Sequence, residues 1–180
     1  MPLSNRTFDE AVEEFLSKHL EKKYLDLGTG AGKYGKIIRK VNPEAYIIGV
    51  EVNPDYIEKY GVKKIYDELH QTKVQDFVRE KLSLAVDVVT LGDLLEHLFK
   101  SDGLDLIHYL MYRCKYIVAV FPSKFVQIDI KGYPEEAHNS VWSEEDFAQF
   151  KHQYKRSGHM NLVIIQGFLS DPDVIVNHHK

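Results

Sequence analysis

The stretch Tyr24-Leu25-Asp26-Leu27-Gly28-Thr29-Gly30-Ala31-Gly32-Lys33-Tyr34-Gly35 constrains this chain more than any other. A short apolar run ending in an acid, then glycines at alternate positions, then a helical pattern, predicts a strand, a tight turn and a helix N-terminus. Gly28 and Gly30 permit backbone conformations closed to other residues, and Gly32 keeps the first helical turn close to the strand. A ligand can lie directly on the peptide groups of such a corner, so it reads as a nucleotide site.

The remaining pattern alternates strand and helix. Thr7-Phe8-Asp9-Glu10 has the spacing of a capping box, and Phe8, Val12, Phe15, Leu16 and Leu20 recur at helical intervals, predicting a flanking helix within residues 1–22. After the first strand, from Lys23, a helix is expected from Gly32 to Val41, a buried strand over Ala45 to Glu51, and a short helix from Pro54 to Tyr60 stopped by Gly61. Lys64-Ile65-Tyr66 and Leu69-His70-Gln71-Thr72 compete as the third strand, and the second is favoured. Helix from Val74 to Leu82, strand from Ala85 to Leu91, a long helix from Leu94 to Arg113 bent near Gly103, and strand from Lys115 to Phe121 complete the alternation. Residues 123–142 form the longest connection, of a length that suits a substrate loop, with Phe125, Tyr133 and Trp142 as a candidate aromatic wall. Ser143-Glu144-Glu145-Asp146 marks another helix start. Leu162 to Phe168 and Val174 to Asn177 are expected to pair antiparallel through Ser170-Asp171-Pro172-Asp173. The expected fold class is therefore α/β, a doubly wound, mostly parallel seven-stranded sheet with an antiparallel C-terminal strand, in one domain over residues 1–180. Gly28, Glu51, Thr72, Gly92 and Pro122 fall at the carboxyl ends of its strands, where ligands bind in such sheets.

Composition narrows the partners. With 23 Lys+Arg against 27 Asp+Glu, the chain has no basic footprint for nucleic acid or an anionic membrane surface. The N-terminus has no apolar signal core, and no run approaches the roughly 20 apolar residues of a membrane span, so a cytoplasmic protein is expected. The single cysteine, Cys114, has no partner for a disulfide, zinc or redox motif and reads as core.

Which nucleotide fits is an electrostatic question. Gly30-x-Gly32-x-x-Gly35 matches the dinucleotide fingerprint, which would suit NAD or FAD. The glycines begin late relative to the strand, however, and Asp26 places a carboxylate where a pyrophosphate would approach. A carboxylate repels that group in a low-dielectric crevice and attracts an ammonium. No Walker A spacing occurs. Glu51, about 20 residues past the glycines, is placed to accept both hydroxyls of a ribose.

Together, Asp26-Leu-Gly28-Thr-Gly30-Ala-Gly32, Ile48-Gly-Val-Glu51-Val-Asn-Pro54 and Asp87-Val-Val-Thr-Leu-Gly-Asp93-Leu-Leu-Glu96-His97-Leu98 resemble the class I S-adenosylmethionine-dependent methyltransferases, over about Lys23 to Asn177. The resemblance implies that S-adenosyl-L-methionine is the cofactor and S-adenosyl-L-homocysteine the product. It implies that Asp26 faces the methionine ammonium, and that Gly28, Thr29, Gly30 and Gly32 cradle the methionine part. It further implies that Glu51 holds the ribose, Val52 packs on the adenine, and Gly92, Asp93 and Leu94 line the cofactor near the transferable methyl. The acid usual after the third strand is missing; Thr72-Lys73-Val74 stands there, so Thr72 and Val74 are the expected adenine neighbours.

Methyl transfer needs an aligned nucleophile and, for a hydroxyl or protonated amine, a base. Glu96, His97 and His138 are the candidates. Asp93-x-x-Glu96-His97 with His138 also resembles the Glu-x-x-Glu-His metal site of some small-RNA 2′-O-methyltransferases. A metal-free site is expected, with Asp93, Glu96, His97 and His138 as the alternative ligand set. The expected activity is methylation of O or N on a small molecule, with a homodimer as a way to complete the substrate walls. The alternatives are a non-catalytic S-adenosylmethionine-binding module, an NAD-dependent oxidoreductase and an aminopropyltransferase.

Overall fold

The computed structural model describes residues 5–128 and 132–176. Its centre is a seven-stranded sheet in the order β3-β2-β1-β4-β5-β7-β6. The strands are β1 (Lys23–Leu27), β2 (Tyr46–Glu51), β3 (Glu68–Gln71), β4 (Val88–Gly92), β5 (Tyr116–Pro122), β6 (His152–Ser157) and β7 (Met160–Gln166). The first five are mutually parallel, whereas β7 runs antiparallel to both β5 and β6. The helices are α1 (Asp9–Lys18), α2 (Lys33–Val41), α3 (Pro54–Lys59), α4 (Val74–Glu80) and α5 (Lys100–Met111). Among the described residues no helix is long and apolar enough to cross a membrane.

The period of two in the central strands divides the core. Leu25, Leu27, Ile48, Val50, Val89 and Leu91 pack beneath α4 and α5 with Phe77, Ile107 and Leu110. Tyr24, Ile47 and Val88 face the other layer with Val12, Leu16, Ile38 and Ile57 of α1, α2 and α3. Asp26 belongs to this second face, between its register partners Gly49 and Thr90. Gly49 leaves room there: a Cβ would lie 2.8 Å from Tyr66 Cδ1, so the Tyr66 ring crosses the strand where a larger residue would stop it.

Several elements differ from the sequence expectation, each for a local reason. The Thr7 capping box does not form: Phe8 is the N-cap, and Thr7 bonds Asn5 instead. Helix α1 ends at Lys18 because His19 turns back to the Phe15 carbonyl and stacks on the Phe15 ring, leaving Leu20 exposed. Lys64-Ile65-Tyr66 is not a strand, and the favoured β3 forms one residue earlier than read. The long helix breaks at Leu98-Phe99, not at Gly103; a 3-10 turn over Leu95–His97 precedes α5, which runs unbroken through Gly103. Gly103 is small because Trp142 lies on it, 2.4 Å from where a Cβ would stand. Ser143 does form a capping box, with Asp146, but on a 3-10 turn. The terminal hairpin is β6 and β7, joined through Gly158 and His159, whereas Val174 to Val176 lie outside the sheet and Asn177 falls outside the described residues. Strand β6 gave no apolar alternation because it is a largely exposed edge.

Candidate active site

The glycine turn is built as its sequence requires. Gly28, Gly30 and Gly32 have φ of 73°, 49° and 74°, in the left-handed region. Gly28 N–H and Thr29 N–H both donate to the Val50 carbonyl at 2.9 and 3.1 Å, tying the turn to β2. Glu51, at the end of β2, accepts from Gly30 N–H at 2.7 Å through Oε2 and from Asn53 N–H at 2.9 Å through Oε1. One carboxylate thus fixes the turn and the start of α3 together. Burial raises its pKa against those two bonds. Each oxygen keeps a further lone pair for a ligand hydroxyl.

These ends of β1, β2, β3 and β4 surround a cleft of about 270 Å³. Of the residues expected to hold a cofactor, Gly28, Gly30, Glu51, Val52, Thr72, Val74, Gly92, Asp93 and Leu94 line it, as does His97. Asp26, Thr29 and Gly32 are not among its lining residues. Asp26 is bonded within the protein: Tyr66 Oη donates to Oδ2 at 2.6 Å and Thr90 Oγ1 to Oδ1 at 2.7 Å, inside the layer of α1 and α2. Burial raises its pKa despite those bonds. Gly32 faces Ile65 and Val62. Asn53, Tyr56, Lys73, Gln75, Glu135 and Glu136 complete the lining and were not singled out in the sequence. Glu135 and Glu136 arrive on a 3-10 turn of the long loop, held by Tyr56 Oη donating to Glu136 at 3.0 Å and Tyr133 Oη donating to Asp55 at 3.0 Å. Carboxylates therefore outnumber cations around the cleft, Glu51, Asp93, Glu135 and Glu136 against Lys73.

Beside the cleft, the long loop brings His138 to the turn after β4. Asn139 N–H and Ser140 N–H both donate to the Glu96 carbonyl, at 2.7 and 3.1 Å, and Trp142 Nε1–H and Ser140 Oγ–H both donate to the Leu95 carbonyl at 3.0 Å. Glu96, His97 and His138 each offer a ligand atom, and these atoms lie within 4.8 Å of one another. Asp93 is not part of that set; it lines the cleft from a backbone with φ of 48°. His97 Nδ1 faces the Ala137 carbonyl at 3.2 Å and His138 Nδ1 faces the Phe125 carbonyl at 2.9 Å. A carbonyl cannot donate, so each Nδ1 carries the proton and each Nε2 is the basic nitrogen. Burial lowers the His97 pKa. Glu96 is 3% exposed, and burial with the neighbouring Asp93 raises its pKa well above the usual carboxylate range. Of the expected aromatic wall, Trp142 is core, stacked on Phe147, and Phe125 is exposed beside His138.

With this geometry in hand, the chain compares with solved structures as follows. An O-methyltransferase family protein from Burkholderia thailandensis superposes with a TM-score of 0.67 at 14% identity, over 90% of this chain and 55% of the other. The methyltransferase domain of bacterial CtHen1 does so at 0.64 and 18%, over 90% and 98%. A magnesium protoporphyrin IX methyltransferase from Synechocystis PCC 6803, with bound SAM, gives 0.64 and 14%, over 90% and 79%. The chain has the class I methyltransferase fold. It spans about half the length of the first of these relatives. No family model matches the chain, and no curated protein does.

Proposed function

We propose that this protein is an S-adenosylmethionine-dependent methyltransferase acting on O or N of a small molecule. The observation that carries the reading is the Glu51 corner: a buried carboxylate bonded to the glycine turn and to Asn53, at the floor of a cleft whose charged lining is mainly acidic. Glu51 would take the ribose hydroxyls and Val52, 37% exposed, would offer an apolar face to the adenine. The magnesium protoporphyrin IX methyltransferase of the same fold, which carries SAM, supports the same cofactor. When bound, it supplies a methyl whose S–C bond breaks with both electrons returning to sulfur as a C–O or C–N bond forms from the acceptor's lone pair. The chain's part is to hold that acceptor, exclude water and receive its proton. Neutral His97, with Nε2 unprotonated, is suited to the last task, and Glu96 and His138 stand beside it.

Calorimetry tests the cofactor. S-adenosylhomocysteine binds wild type and is weakened by about a hundredfold in Glu51→Ala, as the loss of two charge-assisted hydrogen bonds would give. NAD binds far more weakly than S-adenosylhomocysteine; equal affinity for the two would return the dinucleotide reading.

A second reading is supported by one observation. Glu96, His97 and His138 together present a carboxylate and two imidazoles whose Nδ1 atoms are already engaged by backbone carbonyls, the arrangement that leaves Nε2 ready for a divalent cation. Such an ion would orient an acceptor oxygen and lower the pKa of its hydroxyl.

A further inference from the structure

Three buried side-chain oxygens at one corner of the sheet have no hydrogen-bond partner among the described residues: Thr29 Oγ1, Tyr34 Oη and Glu96 Oε2. Their residues are 5%, 5% and 3% exposed. They come from the glycine turn, the first turn of α2 and the 3-10 turn after β4, segments that lie at the carboxyl ends of the adjacent strands β1 and β4. Buried hydroxyls and carboxyls in native proteins are almost always paired, because an orphan forfeits its hydration with nothing in return. Orphans gathered at one corner mark a place whose partner comes from outside the chain.

Tyr34 is held firmly in that place. Its ring lies on Gly92, where a Cβ would stand 1.8 Å from Cε2, and Gly92 lines the cofactor cleft. The surroundings are acidic: burial raises the phenol's pKa well above its ordinary value, and Asp93, Asp9, Asp26 and Glu96 add to the effect. Lys33, 4.6 Å from the Tyr34 ring centre, is already engaged by Asp9 at 2.8 Å and by the Asn5 carbonyl at 2.8 Å.

We propose that Tyr34 Oη and Glu96 Oε2 bind the acceptor, and that the end of the acceptor entering this corner is a hydroxyl or an amine carrying no negative charge. The proposal rests on the methyltransferase reading and deepens it by naming the acceptor's class. A hydroxyl can donate to one of these oxygens and accept from the other. An ammonium gains the attraction of Asp93 and Asp9 as well, while Glu96, kept as the neutral acid by burial, still offers it a lone pair. A carboxylate or phosphate would add one more anion to a buried acidic site, where like charges repel strongly.

The test uses the S-adenosylhomocysteine-loaded protein and a matched pair of probes, ethanolamine and glycolate, which share a hydroxyl and differ in the sign of their charge. Amide shifts of Gly92 and Glu96 follow binding. Ethanolamine shifts both and glycolate neither. Tyr34→Phe weakens ethanolamine by about tenfold or more, the worth of one hydrogen bond to a charged group. The same variant leaves S-adenosylhomocysteine affinity unchanged and its thermal midpoint equal or higher, since it removes an unpaired hydroxyl. Glycolate binding as well as ethanolamine, neither probe binding, undiminished ethanolamine binding in Tyr34→Phe, or a lowered thermal midpoint would each overturn the proposal. Failure of S-adenosylhomocysteine to bind wild type would instead bring down the methyltransferase reading beneath it.

Discussion

Gly103→Ala sets helix propensity against packing, and the structure says packing wins. In an exposed helix interior this change stabilises by about 1 kcal/mol. Here the new methyl would stand 2.4 Å from Trp142 Cζ2 and 2.9 Å from Cη2. The indole has little freedom to yield: it is 2% exposed, stacks on Phe147 at 5.7 Å, and donates through Nε1 to the Leu95 carbonyl at 3.0 Å and to Ser140 Oγ at 2.8 Å. Overpacking costs about 1–3 kcal/mol, and disturbing the indole hydrogen bonds adds about 1 kcal/mol. Net of the propensity gain, Gly103→Ala is expected to destabilise by about 1–3 kcal/mol. Urea unfolding followed by circular dichroism should show a lower midpoint at unchanged slope. In a Trp142→Phe background the obstruction is gone and the sign should reverse, giving a strong coupling in the double-mutant cycle. A Gly103→Ala variant as stable as wild type would refute the reasoning. Its loss would reach the site too, because Trp142 pins the segment that carries His138 to the turn that carries Glu96.

Other outcomes follow from the same contacts. Asp26→Ala strips the acceptor from the buried Tyr66 and Thr90 hydroxyls and should cost about 2–4 kcal/mol in urea unfolding, whereas Asp26→Asn keeps an acceptor and costs less; equal losses would count against the paired role. His97 has a folded pKa below its unfolded value of about 6.5, so the unfolded chain binds the extra proton first. Its contribution to stability is therefore present above about pH 6.5 and lost as pH falls toward the folded pKa; His97→Gln should flatten that part of the thermal midpoint against pH, and an unaltered slope would show another group at work. If a cation occupies the Glu96 cluster, added Mn²⁺ should broaden the imidazole resonances of His97 and His138 together and leave both sharp in Glu96→Gln; no broadening in wild type removes that reading.

The alternation of apolar strands with helical stretches was enough to place β1, β2, β4 and β5 and the glycine turn, because buried parallel strands are continuous apolar runs and positive-φ turns need glycine. What escaped was set by partners distant in sequence. Strand β6 is polar along an exposed edge and exists through its pairing with β7, so no periodicity announced it. The helix break near Leu98 and the role of Gly103 both depend on Trp142, about forty residues away in a loop without pattern. The cleft's outer wall, Glu135 and Glu136, has the same origin: their turn is legible only once Tyr56 and Asp55 are seen beneath it.

The case of Asp26 shows what kind of inference survives such a change. Asp26 was expected to repel a pyrophosphate; strand alternation places its side chain with Tyr24 on the face covered by α1 and α2, where Tyr66 and Thr90 each bond one of its oxygens. The acids that do line the cleft are Glu51, Asp93, Glu135 and Glu136. At an effective dielectric of about 20, two like charges about 5 Å apart repel by about 3 kcal/mol, so even one such contact would weaken a phosphate ligand by about two orders of magnitude. A sulfonium and an ammonium reverse the sign of every one of those terms. The proposed preference for a cationic nucleoside would therefore rest on the whole rim of the cleft, and on no single acid within it.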